Sequence, residues 1–401
     1  NVEQLRQYYK KTIKKKNLIF FGIFYKNKHI GNLKFENIYQ NSKDASWGIL
    51  IGNKKYRGQG IGNEVLSKSM RYLEEKFNIR NFIISVTHLN RIARKLYFNL
   101  GFRKLKFKNG KIFLIRRSLP SKIIIGSANF RNIYGNRKCS VDQNDIKNIL
   151  DYAKNHGINL IDTASIYGKS EESLGKYNIK DFGIISKLPE IKKEVKVKKF
   201  VQNCLKNTLN KTKRKKIYGY LIHNPKDILS SNKKNILKTL NLMKKQKKIK
   251  KVGVSVYEVE ELKKILKVFK PDIVQLPINV LNQNFLKKNF LKTIKKKGIE
   301  IHGRSIFLQG ALLKYQNTSL SRIIKKKMKK IDSLCKKKGI SKINLLLNFV
   351  DGIKEIDKLV LGIDSIKQLK QIIKCNENPY MIKDYKSLSI NNKRIIDPRK
   401  W

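Results

Sequence analysis

From residue 122 onward, short apolar runs alternate with long lysine-studded stretches, and this rhythm constrains the fold more than any single motif. The runs are KIIIGSANF, NLIDTAS, FGIISKL, IYGYLIH, KKVGVSV, IVQLPIN, IEIHGRS and KLVLGID. Helix-like segments of roughly 10–20 residues separate most of them. Strand, helix and strand in succession make a crossover unit, and such units build parallel sheets. Eight of them close a barrel, and the segment, about 260 residues long, is near the usual size of about 250. The expected fold class is α/β, with a (β/α)8 TIM barrel occupying residues 119–401.

The preceding residues follow another plan. Residues 1–15 read as a Lys-rich amphipathic helix, and LIFFGIFY, HIGNLKFENIY and ASWGILIG then read as strands. A glycine-bearing loop opens the helix GNEVLSKSMRYLEEKF, and the strand NFIISVT and the helix NRIARKLYFNL follow. Two more short strand candidates lead to RRSLPS, where Pro120 marks a boundary. A separate α/β domain is expected over residues 1–118.

Bulk composition narrows the function. The longest apolar run, near NLIFFGIFY, is too short to span a bilayer, and no signal peptide is visible. A cytoplasmic protein with no membrane partner is expected. The chain starts at Asn1 without Met, which is read as an N-terminal truncation. The formal charge is +62, yet only 16 of the 91 basic residues are Arg. Phosphate and base recognition favours the planar fork of Arg. Here Lys is spread along the whole chain with abundant Asn and Ile, the trio that A/T-rich codons supply. Nucleic acid is therefore not the expected partner, although the field favours acidic small ligands. Cys139, Cys204, Cys335 and Cys375 lie far apart without a C-x-x-C pair, which reads as reduced thiols. With five histidines and no Cys/His ligand cluster, no metal site is expected.

The loop NKKYRGQGIGNEVL (53–66) carries Gly58, Gly60 and Gly62. A dinucleotide fingerprint would need a third glycine at Asn63. Arg-x-x-Gly-x-Gly from Arg57 to Gly62 is the better frame. A loop between strand and helix offers free N–H groups and the positive end of a helix dipole, which together favour a pyrophosphate. Taken alone it is equally at home in a plain tight turn. Downstream, SVTHLNRIARKLYFNLGF supplies Asn90, Ala93, Leu96, Tyr97, Gly101 and Phe102. With both motifs in this order, residues 1–118 resemble the GNAT acetyltransferase superfamily. The resemblance implies acetyl-CoA as co-substrate, its pyrophosphate on the backbone of Arg57, Gly58, Gln59, Gly60, Ile61 and Gly62. It also implies that Asn90 contacts the pantetheine arm and that Tyr97 protonates the departing thiolate. The strand and helix that normally open this family are absent, which puts the acceptor pocket in doubt. His88 is a candidate base, though amine attack does not require a strong one.

In the barrel segment, Asp162 ends the second run, Tyr167 follows five residues later, Lys187 ends the third and His223 the fourth. These four sit at the carboxyl ends of consecutive strands, the end where barrel chemistry is placed. Any one of them alone could be a solvated strand-end residue; four in register define a chemistry. A Lys ammonium beside a phenol is expected to lower its pKa from about 10, and a carboxylate keeps that Lys charged and placed. His223 can hydrogen-bond a carbonyl oxygen. The set can donate a proton to an oxygen while a hydride from a cofactor reaches its carbon.

This tetrad, with GVSVYEVEEL, VQLPINVLNQ, GRSIFLQGALL and GIDSIKQL in order, resembles the aldo/keto reductase superfamily over residues 122–390. The resemblance implies NADPH or NADH, bound without a Rossmann loop. Ser255 and Gln275 would hold the carboxamide, Ser305, Leu308 and Gly310 would follow the pyrophosphate, and Gly362, Ser365 and Gln368 would approach the adenosine end. Two residues depart from the pattern. Val256 stands where an Asn commonly follows the strand-five Ser, and Arg304 stands where many members stack an aromatic ring on the nicotinamide. Only Lys367 and Lys370 offer themselves to a 2′-phosphate.

Fusion of the two halves points to one pathway. Acetylation of an amine and reduction of a carbonyl both occur in making modified amino sugars for surface glycans. The run WGILIGNKKYRGQGIG also resembles GNAT enzymes that acetylate nucleotide-linked amino sugars. The expectation is a bifunctional enzyme acting on small molecules, nucleotide-sugars in particular. The alternatives are a protein amine N-acetyltransferase with a separate small-aldehyde reductase, or a cofactor-sensing barrel without turnover.

Overall fold

The computed structural model describes residues 3–4, 6–7, 10, 17–38, 44–77, 79, 81–100, 102–117, 122–132, 140–192, 196–313, 322–377 and 385–400. The chain forms two compact units, one of residues 1–121 with 155–157 and one of residues 122–154 with 158–401. Of the helix expected over residues 1–15, residues 3, 4, 6, 7 and 10 are helical; the remainder, like Gly101 and Cys139, lies outside the described residues.

The first unit is a six-stranded sheet. Its strands are β1 (Leu18–Tyr25), β2 (Lys28–Glu36), β3 (Asp44–Ile51), β4 (Asn81–Thr87), β5 (Arg103–Lys108) and β6 (Lys111–Arg117), in the order β1-β2-β3-β4-β6-β5. Asn109 and Gly110 join β5 to β6 with φ of 50° and 68°, the paired left-handed residues of a tight hairpin. Only β3 and β4 are parallel neighbours, and they pair over just three positions, Asp44 with Asn81 to Ser46 with Ile83. Beyond Ser46, β3 pairs with β2 and β4 with β6, so the sheet opens between them. Leu66, Met70 and Leu73 of helix Ile61–Phe77 are buried in the domain core with Phe35, Trp47 and Phe82.

In the second unit all eight apolar runs become strands of a closed parallel barrel: β7 (Ile123–Gly126), β8 (Leu160–Asp162), β9 (Gly183–Leu188), β10 (Ile217–Ile222), β11 (Ile249–Ser255), β12 (Ile273–Pro277), β13 (Glu300–Arg304) and β14 (Lys358–Gly362). Strand alternation assigns the side chains. Ile124, Leu160, Ile185, Leu221 and Ile273 fill the barrel interior, while Ile125, Ile161, Ile184 and Ile222 join the shell under the helices. A side chain at Gly253 would collide with the Ile273 carbonyl, so close strand packing excludes anything larger than glycine there. The same alternation turns Asp162, Lys187, Ser255 and Arg304 towards the carboxyl-end mouth. Among the described residues Cys204 and Cys335 are in no disulfide, and Cys375 Sγ lies 3.6 Å from Ser341 Oγ.

Candidate active site

Four strand ends converge at that mouth. Lys187 is fully buried, and its ammonium spends its three donors at once. Nζ reaches Asp162 Oδ1 at 2.6 Å, the Thr163 carbonyl at 2.8 Å and the Tyr167 hydroxyl at 3.4 Å. The other Asp162 oxygen accepts from Gln275 Nε2 at 2.8 Å. Burying such an ion pair is costly unless its remaining valences are filled, and here they are. The His223 ring meets the Tyr167 ring edge-on, with centroids 6.3 Å apart. All four predicted residues line one cleft of about 700 Å³.

Burial pushes the Tyr167 phenol well above its ordinary value; the Asp162 carboxylate adds to this and Arg304 opposes it. That differs from the lowering expected from a neighbouring lysine. Burial is the main reason, and the Lys187 ammonium cannot offset it because Asp162 holds that charge at 2.6 Å, closer than it lies to the phenol. Tyr167 is thus held as a neutral proton donor. His223 moves the other way. Burial, then the charges of Lys187 and Arg304, bring it down to about 3. It is a neutral imidazole at physiological pH and donates one N–H. Its folded pKa lies below the unfolded value of about 6.5, so the unfolded chain takes up the proton first. Stability is therefore expected to fall as pH drops from about 6.5 towards 3, and His223→Gln to flatten that loss. Denaturant melts from pH 4 to 7 test this.

Several groups around the cleft could hold an extended anionic cofactor. Gly362 lines it, and a Cβ there would meet nothing within 4 Å. Asn129 is buried, donates to Asp364 at 2.6 Å, and leaves its Oδ1 without a partner. Ser305, Leu308 and Gln309 hold φ of 58°, 48° and 52°, ahead of Gly310 at 87°. Left-handed non-glycine residues cost energy, and such strain concentrates at ligand sites. Ser305 and Gly310 line the cleft, but the Leu308 side chain is fully buried in the core, so only its backbone is available. Ser255 and Gln275 are at the mouth, although Gln275 already donates to Asp162. Ser365 and Gln368 do not line the cleft. Ser365 Oγ accepts from the Gln368 N–H, and the Gln368 side chain accepts from the Asp364 N–H, which secures the start of helix Ile366–Glu377.

Arg304 does not present a flat ring. It donates to the Val256 carbonyl at 3.0 Å and lies over the Tyr257 ring, with Cζ 3.9 Å from the centroid. Arg399 lies 3.3 Å from the same centroid. Both guanidiniums thus pack on one tyrosine ring. Sequence reasoning missed Tyr257, Arg399 and Asn129. Only the position of Tyr257, two residues past a strand-end serine, offered a signal.

In the first unit, Gly58 and Gly60 take φ of 79° and 81° just before helix Ile61–Phe77. Among the described residues the N–H groups of Gly58 to Gly62 have no partner. Arg57 is tied to the end of β3 through the Ile51 carbonyl at 2.8 Å, and Gln59 to the Lys55 carbonyl at 2.8 Å, so both brace the loop. Asn90 Oδ1 caps helix Arg91–Asn99 at the Ala93 N–H, leaving Nδ2 as its donor. The Tyr97 ring packs on Trp47 and Phe102 in the core, and burial pushes its phenol up. His88 is exposed and 3.1 Å from the Gly110 carbonyl.

Among the described residues no helix is long and apolar enough to cross a membrane, and no group of three His, Cys, Asp or Glu side chains could hold a metal. No curated relative matches the chain. Solved structures give a likeness of fold. AKR11C1, an aldo-keto reductase from Bacillus halodurans in its holo form, is 15% identical with a TM-score of 0.55, covering 75% of this chain and 99% of that one. The thermostable aldo-keto reductase Tm1743, solved with the inhibitor epalrestat, is 19% identical with a TM-score of 0.51, covering 72% and 98%. Residues 1–103 match the acetyltransferase (GNAT) domain and residues 122–392 the aldo/keto reductase family. The chain belongs to the aldo/keto reductase family, its barrel preceded by a GNAT acetyltransferase domain.

Proposed function

We propose that the chain is a bifunctional enzyme, an NAD(P)H-dependent carbonyl reductase joined to an acetyl-CoA-dependent N-acetyltransferase, and that both halves act on nucleotide-linked amino sugars. The observation that carries the reductase reading is the buried Lys187–Asp162 pair lying against Tyr167 at a cleft mouth. A bound nicotinamide would supply the hydride. The chain's own residues do the rest. The neutral His223 N–H can hold the substrate carbonyl oxygen. As that oxygen becomes an alkoxide, its conjugate acid is about as weak an acid as water, far weaker than a phenol. Even a raised phenol can protonate it. Lys187 then stabilises the phenolate, while Asp162, held by Gln275, keeps the lysine in place.

In the first unit, the unpartnered N–H groups at a helix start favour the CoA pyrophosphate. The amino-sugar reading rests on the fusion and on the resemblance of the glycine-loop region. UDP- and CMP-linked amino sugars with acetyl-CoA are expected to be acetylated in preference to lysine peptides, and keto or aldehyde forms of such sugars to consume NADPH. Acetylation of peptides with inert sugars would favour the protein-amine reading instead.

A further inference from the structure

The cleft beside the tetrad contains a guanidinium that makes no direct ion pair among the described residues. Lys187 is neutralised by Asp162, and Arg399 by a two-pronged pair with Asp397, Nη2 to Oδ2 at 2.7 Å and Nε to Oδ1 at 3.0 Å. Arg304 has no such partner. Its described contacts are the Val256 carbonyl, the Ser305 hydroxyl at 3.2 Å and the Tyr257 ring, and no carboxylate of the described residues comes within ion-pair distance. It is half-buried. A partly desolvated guanidinium whose direct hydrogen bonds go to neutral groups, with a second guanidinium on the same ring and the single Asp397 carboxylate interacting with both, leaves positive charge uncompensated when the cleft is empty. The arrangement becomes favourable when a ligand brings the anion, because the planar fork binds carboxylate or phosphate oxygens in pairs.

The arrangement is built rather than incidental. Segment 385–400 is fastened across the β12–β13 connection by the Ile390 N–H to the Leu281 carbonyl at 2.8 Å and by Gln283 Nε2 to the Tyr385 carbonyl at 2.7 Å. Asp397 is buried and fixes Arg399, whose guanidinium packs on the Tyr257 ring. The Tyr257 ring therefore carries both guanidiniums. Arg304 and Arg399 both line the cleft.

We propose that Arg304 and Arg399 form a recognition site for an anionic group, carboxylate or phosphate, on the non-reacting part of the carbonyl substrate. This rests on the reductase reading for its substrate, and the test separates the two. The substrates are 4-oxobutanoate against butanal, and glyceraldehyde 3-phosphate against glyceraldehyde, each with NADPH. The unaltered protein is expected to favour the charged member of at least one pair by about tenfold or more in kcat/KM. Arg304→Met should reduce that preference about tenfold, Arg304→Lys should restore part of it, and Arg399→Leu should weaken it to a smaller degree. Calorimetry with succinate and with inorganic phosphate gives a readout independent of turnover, with affinity expected to fall about tenfold in Arg304→Met.

Equal efficiency within both pairs would overturn the proposal and leave the reductase reading intact. Turnover of none of the four, with Arg304-dependent binding of either anion, would sustain the site and defeat the reductase reading. Weaker NADPH binding in Arg304→Met with the substrate preference unchanged would assign the anion to the cofactor and overturn the proposal.

Discussion

Tyr167→Phe is expected to lower carbonyl reduction by about 10²–10⁴-fold while NADPH still binds, because it deletes one transferable proton and keeps the ring. The side chain is positioned by its ring as well as by its hydroxyl. The ring lies under the Lys187 ammonium, 4.9 Å from its centroid, and against His223. Phe keeps both contacts. Since burial holds the phenol protonated, the rate in the unaltered enzyme should show no alkaline limb from this group up to at least its ordinary value of about 10. Lys187→Met differs in kind. It leaves the Asp162 carboxylate buried with Gln275 as its remaining side-chain donor, so a stability loss of about 3–5 kcal/mol should accompany the lost activity. Asp162→Asn keeps the shape and should give a milder version of both. Kinetics of single and double variants test the set. Residues that act as one unit lose activity non-additively. Losses that simply multiply, or a Tyr167→Phe enzyme near normal, would place the chemistry elsewhere.

Much of the barrel was legible because its signal is local. Each strand is a short β-rich apolar run, and parallel strands are covered on both faces, so no polar alternation hides them. The tetrad was legible because Asp162 and Lys187 lie at or beside strand ends, His223 just past one and Tyr167 in the loop after β8, all at the carboxyl end of the barrel. What stayed hidden depends on register between distant segments. Nothing near Arg399 in the sequence announces that it packs on Tyr257, and nothing near Gln275 announces its bond to Asp162. The direction of the Tyr167 shift was misjudged for the same reason. A lysine beside a phenol lowers its pKa only if the lysine's charge is uncompensated, and the compensating distance is a property of the fold. The short helices Ser170–Gly175 and Pro225–Leu229 were not anticipated, because five or six residues are too few to show a helical period.

Gly60→Val is expected to weaken acetyl-CoA binding by at least about 100-fold and to leave reduction by the barrel unaffected. Two effects combine at this residue. Its φ of 81° lies in the left-handed region, where a β-branched side chain is strongly disfavoured. A side chain there would meet no protein atom within 4 Å, so it would project into open space at the loop whose N–H groups, from Gly58 to Gly62, have no partner among the described residues. The domain core should tolerate the change, since Leu66, Met70 and Trp47 do not depend on the loop. Gly60→Asn separates strain from obstruction, because asparagine accepts left-handed backbone at little cost while still filling part of the space. If obstruction dominates, Asn should cause a loss between those of glycine and valine, with a thermal transition close to the parent's. If strain dominates, Asn should bind nearly normally. Calorimetry with acetyl-CoA reads both, and NADPH-linked turnover by the same samples reports on the barrel. Unchanged affinity in Gly60→Val would mean that the glycine loop is a tight turn and that the pyrophosphate, if bound at all, lies elsewhere on the domain.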